Sequence, residues 1–426
     1  MRAALPGVAR RTSVGHVTSD DAAHPGILEN APVTRATPTH TTPTRVVLDA
    51  GGRAPVDPAA RTALLEALDL GWADPRRLHA EGRRARALLD GAREAIAAQA
   101  GARTADVRLS AHHTTALHAA VRAVARGRRR VGRDVVVSAV ERAAVLHAAD
   151  YAVAQPWTAD RGRRVTVPVD AVGRVDGEAM AAALAAPGVA LAALQHANGE
   201  VGTVQPVARV HEAARAAGVP LLVDAGASAG HVPIDAAWDL LALDPPDWGA
   251  PAGVGVLVVR PQVRWMPDWP EDEDDWFPGG VSVPAALAAA VALERAAARR
   301  AETDARRRGL VDRVRTTVAA TVPDVEVVGD PSGRLPHVVT FSCLYVDGEA
   351  LVTELDRLGF AIGSGSACTS SALEPSHVLA AMGALTHGNV RLALPADVAE
   401  ADVERFLAAL PQAVARVRDL LGVHGL

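Results

Sequence analysis

The chain contains no lysine: all 44 of its basic residues are arginine, so none of its 426 residues carries a side-chain primary amine. That excludes any chemistry in which a lysine amine attacks a carbonyl, because a guanidinium stays protonated and is not a usable nucleophile. Cysteine is almost absent as well. Cys343 and Cys368 are too few for a disulfide framework or a four-thiolate metal site, and a reducing, cytoplasmic setting is expected. Aromatic residues make up 3%, so the core must be packed from aliphatic side chains. No apolar run approaches the ~18 residues of a membrane span, and residues 1–45 hold no continuous apolar segment for a secretory core. A net charge of −5 leaves no basic excess for generic nucleic-acid binding.

What is present is a chain 49% apolar, rich in Ala and Val, and long enough for a large domain with a smaller companion. Residues 1–45 are rich in Thr and Pro and read as a disordered extension. Helical spacing begins near Arg61 and returns over Arg83–Ala100. Short apolar runs then alternate with amphipathic helices. Val135–Ser138, Val189–Leu194, Val219–Asp224 and Gly253–Val259 read as strands, and Ala143–Ala149 and Pro206–Ala217 as helices. This alternation predicts a mostly parallel sheet covered by helices, over 46–309. An Ala-rich helix over Pro284–Arg308 leads to a smaller α+β domain over 310–426. There Asp324–Val328 and His337–Ser342 read as strands, and Gly348–Leu358 and Val403–Leu421 as helices. The acidic run Asp268–Asp275 and the basic run Arg126–Arg133 are read as solvated loops.

Six segments, in order, resemble the cysteine desulfurases of the class V aminotransferase group. They are Leu48–Pro58, Gly71–Ala102, the turn His196-Ala-Asn-Gly-Glu-Val-Gly202, Val223-Asp-Ala225 with Gly230, Gly363-Ser-Gly-Ser-Ala-Cys-Thr369 with Leu373–Leu379, and Asn389-Val-Arg-Leu392. The resemblance covers about 46–422 and implies a fold-type-I aminotransferase-like α/β architecture. Its large domain is a mainly parallel seven-stranded sheet, and it is a dimer whose active sites lie at the interface. It also implies pyridoxal 5'-phosphate as cofactor. Asp224 would hold the ring nitrogen protonated, Asn198 would bond the ring hydroxyl, and Ser282 would reach the neighbouring subunit's phosphate. Arg391 would clamp a substrate carboxylate with its bidentate fork. Cys368 would be the sulfur-carrying nucleophile, in a small polar loop suited to a thiol that must travel. Cys343, between apolar neighbours, reads as core.

The same register exposes departures. The family's Ser-x-His-Lys turn falls on Asp244, Pro245, Pro246 and Asp247, so Asp247 stands where the cofactor lysine is expected. The phosphate turn reads Ala111-His112-His113, the ring-stacking histidine reads Arg142, and the glutamine near the aspartate reads Ala227. Two carboxylates facing a dianionic phosphate oppose its binding, with His112, His113 and Arg142 as partial offsets. His112, His113, Asp244 and Asp247 are also metal-ligand residue types, but a decayed cofactor site is the preferred reading and no metal is expected. The expectation is a desulfurase-like protein without covalent pyridoxal phosphate catalysis. It would relay persulfide sulfur through Cys368 or act as partner subunit of a true desulfurase, as a homodimer or a heterodimer with an active paralogue. A sulfur-acceptor protein is a further expected partner; nucleic acid and membrane are not. The alternatives are an active enzyme binding pyridoxal or pyridoxamine phosphate non-covalently, and a repurposed binding module.

Overall fold

The structure, a computed structural model, describes residues 45–156, 161–267, 269, 276–364 and 375–422. Cys368, residues 1–44 and the acidic run apart from Trp269 lie outside the described residues. The chain proceeds through β1 (Val46–Val47), α1 (Pro58–Leu70), α2 (Ala80–Ala100), β2 (Val107–Ser110), α3 (His113–Arg128), β3 (Asp134–Ser138), α4 (Ala143–Ala154), β4 (Arg164–Val167) and α5 (Gly177–Ala185). It continues through β5 (Val189–Gln195), α6 (Val207–Ala216), β6 (Leu221–Asp224), β7 (Leu240–Leu243), a 3₁₀ turn (Pro245–Trp248), β8 (Gly255–Val259) and α7 (Val283–Thr321). The remainder is β9 (Val325–Val328), β10 (Val338–Cys343), α8 (Gly348–Arg357), β11 (Phe360–Ala361), α9 (His377–Met382), β12 (Asn389–Ala393) and α10 (Glu400–Leu420).

Seven strands form one sheet in the order β2-β8-β7-β6-β5-β3-β4, parallel except for β8, which runs antiparallel to both its neighbours. Its strands are apolar on both faces, and the two faces feed different cores. Leu221 and Val223 of β6 pack into one cluster and Leu222 into the other; Leu241 and Leu243 of β7 oppose Leu240 and Ala242 in the same way. This two-residue period buries a continuous apolar run under helices on both sides. One cluster is completed by α2 and the first half of α7, the other by α3 and α4.

A second sheet, antiparallel in the order β12-β10-β9, has its own core with α8, α10 and the later part of α7. Helix α7 carries Ala286 and Leu293 in the first core and Leu310, Val314 and Val318 in the second. At 39 residues it is longer than the periodicity over Pro284–Arg308 indicates, and spans about 58 Å. The amino-terminal arm joins the second sheet's side: β1 pairs in parallel with β11, Val46 opposite Phe360.

Two sequence readings need correction. The basic run Arg126–Arg133 is not simply a solvated loop, because Arg126 and Arg128 lie in the last turn of α3. Arg128 donates to the carbonyls of Ala190 and Gly218, each at 2.8 Å, and Arg126 donates to the carbonyl of Pro267. Helix α1 starts at Pro58 rather than near Arg61. Asp57 caps it by accepting from the backbone N–H groups of Ala59 (2.8 Å) and Ala60 (3.3 Å), with proline at the first helical position.

Candidate functional site

The carboxyl ends of β3, β5, β6 and β7 open toward one cavity, the place where parallel α/β sheets receive ligands. It measures 410 Å³, and its wall includes Arg142, Asn198, Ala227, Asp244, Asp247 and Arg391. Of the other residues singled out from the sequence, Pro246 is buried in the 3₁₀ turn and accepts from Ala54 N–H (2.9 Å). Ser282 caps α7 through Ala285 N–H. His112 precedes α3 with an exposed side chain.

Asp224 ends β6 and is buried. One of its oxygens lies 3.0 Å from His113 Nε2 and accepts from Gly226 N–H at 2.8 Å; the other accepts from Arg142 Nε at 3.1 Å. Burial presses the Asp224 pKa upward, but the His113 and Arg142 charges outweigh it and hold the carboxyl well below the ordinary range. Gly226 makes this packing possible. A Cβ there would stand 2.5 Å from His113 Cε1 and 3.0 Å from Arg142 Nη2. Asp244 approaches the other His113 nitrogen at 3.7 Å, and its pKa is raised, chiefly by burial.

Asp247 belongs to a different network. Its Oδ1 accepts from Gly52 N–H (2.5 Å), and its Oδ2 faces His231 Nε2 (2.9 Å). Arg307 donates to His231 Nδ1 at 3.2 Å and to Asp304 at 3.1 Å. With Nδ1 an acceptor, the imidazole proton sits on Nε2 and points at Asp247. His337 stacks on His231 at 3.9 Å between ring centroids, and burial drives its pKa well below the usual value. Among the described residues, His231, Asp247 and His337 bring donor atoms within 4.8 Å of one another. The buried Arg307 cation beside His231, and the proton it fixes on Nε2, argue against a metal ion there.

Sequence reading missed the carboxyls beside the cavity. Burial pushes Glu141 up to about 8 and Glu200 up to about 7. Glu141 accepts from Gln195 N–H (3.1 Å), and the Glu200 backbone is set by Asn198. Asn198 spends its side-chain oxygen on the N–H groups of Glu200 and Val201, both 2.9 Å, and donates to Val140 O at 3.1 Å. Arg391 on β12 donates to Asp49 at 2.9 Å, 342 residues away in the chain. The only local signals were adjacency of Glu141 to Arg142 and of Glu200 to the Asn198 turn. His231 and Arg307 had none.

A family model for class-V aminotransferases matches residues 46–406. The chain is 36% identical over 395 residues to a cysteine desulfurase of Cereibacter sphaeroides, covering 88% of this chain and 97% of that protein. It is 35% identical over 385 residues to an IscS-like cysteine desulfurase of Mycobacterium tuberculosis, covering 87% and 96%. A solved NifS-like protein superposes with a TM-score of 0.79 at 22% identity over 89% of this chain and 100% of that one, a likeness of fold. The chain belongs to the class-V aminotransferase family. Within that family, the two relatives described above are cysteine desulfurases.

Proposed function

We propose that this chain is a cysteine-desulfurase-like protein that works without a covalently held pyridoxal phosphate. It either relays sulfane sulfur on Cys368 or serves as partner subunit to a lysine-bearing desulfurase. One observation carries the first part: both oxygens of Asp224 are already engaged, by His113 with Gly226 N–H and by Arg142. A protonated pyridine ring would have to displace one of these contacts. The residues present therefore do not fit the family's cofactor. Asp244 and Asp247 add negative charge to the cavity wall where a phosphate dianion would have to settle, and no side-chain amine exists to hold an aldehyde.

In the relay, the Cys368 thiolate attacks the outer sulfur of a donor persulfide. The S–S bond breaks, the donor leaves as a thiolate, and Cys368 becomes the persulfide, so no external oxidant is needed. The family resemblance brings with it two domains, 46–309 and 310–426, and a dimer, of two copies or with an active paralogue. A second reading, non-covalent pyridoxal or pyridoxamine phosphate, draws support from the 410 Å³ cavity, which keeps Asn198 and Arg391 on its wall.

Two measurements separate these readings. Titration of the purified protein with pyridoxal phosphate is expected to give no saturable binding and no borohydride-reducible yellow colour. Saturable binding with sulfide release from cysteine would establish the second reading instead. Incubation with an active desulfurase and cysteine, followed by peptide mass spectrometry, is expected to find added sulfur on Cys368 and none on Cys343. Sulfur on neither, while a control acceptor is loaded, would remove the relay and leave the partner-subunit role.

A further inference from the structure

We propose that a recess at the end of the seven-stranded sheet opposite Asp224 binds a small, multiply charged oxyanion of the phosphoryl class. The recess measures 670 Å³ and opens between the start of β6, the start of β7 and the segment that follows β8. Five arginines line it, Arg103, Arg128, Arg215, Arg260 and Arg264, against only two carboxylates, Asp106 and Asp239. Both carboxylates are already committed. Asp106 takes Arg103 through two contacts of 2.6 and 3.0 Å, and Asp239 accepts from Leu221 N–H at 3.0 Å. Arg128 spends its donors on the carbonyls of Ala190 and Gly218. Arg215, Arg260 and Arg264 have no carboxylate within ion-pair distance among the described residues.

A chain of net charge −5 thus concentrates unbalanced positive charge in one concave place. Burial, then the Arg264 charge, depress the Arg128 pKa, as expected where cations crowd without an anion. The wall holds a second, independent deficit. Trp238 Nε1 is buried without a hydrogen-bond acceptor, beneath the Arg260 guanidinium, which lies 3.9 Å over the indole ring. An unpaired buried N–H is costly, and Trp238 belongs to the wall of this recess. Planar guanidinium forks match phosphoryl oxygens bidentately, which favours a phosphorylated small molecule or pyrophosphate over a monovalent anion. With the Trp238 ring covered by Arg260, the site offers no stacking platform for a base.

The test is calorimetric titration of the full chain with inorganic pyrophosphate at fixed ionic strength, chloride being the only other anion. Saturable one-site binding is expected, weakened by roughly tenfold or more in the double variant R215Q/R264Q. It should be unchanged in R299Q/R300Q, which removes two arginines of α7 away from the recess. R260Q, titrated in parallel, should weaken binding while keeping every carbonyl contact of Arg128. Matched thermal melts of all variants show that each is folded. Non-saturating heat, binding that survives R215Q/R264Q, or equal loss in the α7 control would overturn the proposal. None of these outcomes bears on the cavity lined by Arg142, Asn198 and Arg391, so the two readings fail independently.

Discussion

Two buried aspartates stand at the carboxyl edge of one sheet and are neutralised in opposite ways. Asp224, which the family pattern retains, is clamped by an imidazole and a guanidinium at 3.0 and 3.1 Å. Asp247, at the position where the resemblance expects lysine, has among the described residues a backbone N–H and an imidazole as side-chain partners, and the Arg307 guanidinium stands behind that imidazole. The first is a concentrated cluster buried behind the cavity wall, which it reaches through Arg142, while the second starts on that wall at Asp247 and runs through His231 to Arg307 of α7. The difference teaches that Asp247 is built into packing, so a substitution there disturbs the wall as well as the cavity.

Asp247→Lys should therefore have the largest effect. It places an ammonium against His231 with the Arg307 guanidinium behind it, removes the acceptor of Gly52 N–H, and buries a charge without partner. A loss of more than about 4 kcal/mol is expected in denaturant unfolding, with no sulfide release from cysteine in pyridoxal phosphate. A stable, yellow, active variant would show that the Asp224 cluster yields readily to the cofactor. Asp224→Ala comes next, at about 3 kcal/mol, because it strands His113 and the part-exposed Arg142. Here the sign with pH is defined. The folded pKa lies below the ordinary 3.8, so the carboxylate's contribution is present above that value and lost as pH falls through the folded one. The stability gap between wild type and Asp224→Asn should shrink on acidification below about pH 4.

Much of the sheet was legible because fully buried parallel strands write themselves as short continuous apolar runs, as at Val189–Gln195 and Leu221–Asp224. β2 was not, since Val107–Ser110 has a charged residue in a four-residue run and its place is fixed by pairing with β8. The end of α3 was hidden for a related reason: arginines whose donors reach distant carbonyls look, in sequence, like solvated ones. At the site, Asp224 was readable as a strand-end carboxylate, and Arg142 and His113 as altered positions. Their convergence was not, because it joins residues 82 and 111 positions from Asp224 through the tertiary fold. The Asp247–His231–Arg307 chain and the Asp49–Arg391 pair are likewise products of long-range packing, which local spacing does not encode.

Glu141 sharpens the comparison with the opposite pH sign. Its folded pKa of about 8 is raised above the ordinary 4.5, so the protonated form stabilises the fold and that stability is lost as pH rises toward 8. Stability should fall by up to about 1.4 kcal/mol per pH unit across this window from Glu141 alone. Glu141→Gln, which keeps an acceptor for Gln195 N–H, should flatten the slope. An unchanged slope in the variant would mean that Glu141 is ionised in the native state.

The smallest effect should come from Cys343, in the core of the three-stranded sheet rather than at either aspartate. It lies on β10 opposite Val325, fully buried in the cluster that contains Phe341, Val390 and Leu392. Burial pushes its thiol up to about 11, against a weaker downward pull from Arg418. At pH 8 only about one molecule in a thousand would hold the thiolate, the form that exchanges or alkylates. Packing alone then defines its role. Cys343→Val exchanges one small apolar group for another of similar size, with an expected cost below about 1.5 kcal/mol. Cys343→Ser buries a hydroxyl among apolar neighbours and should cost about 1–3 kcal/mol unless it finds a partner. Alkylation of Cys343 should follow global unfolding, so its rate should rise with denaturant along the unfolding curve. Fast labelling of Cys343 in native buffer would place a reactive thiol inside the second core, and would remove the contrast between an inert Cys343 and a sulfur-carrying Cys368 on which the relay reading depends.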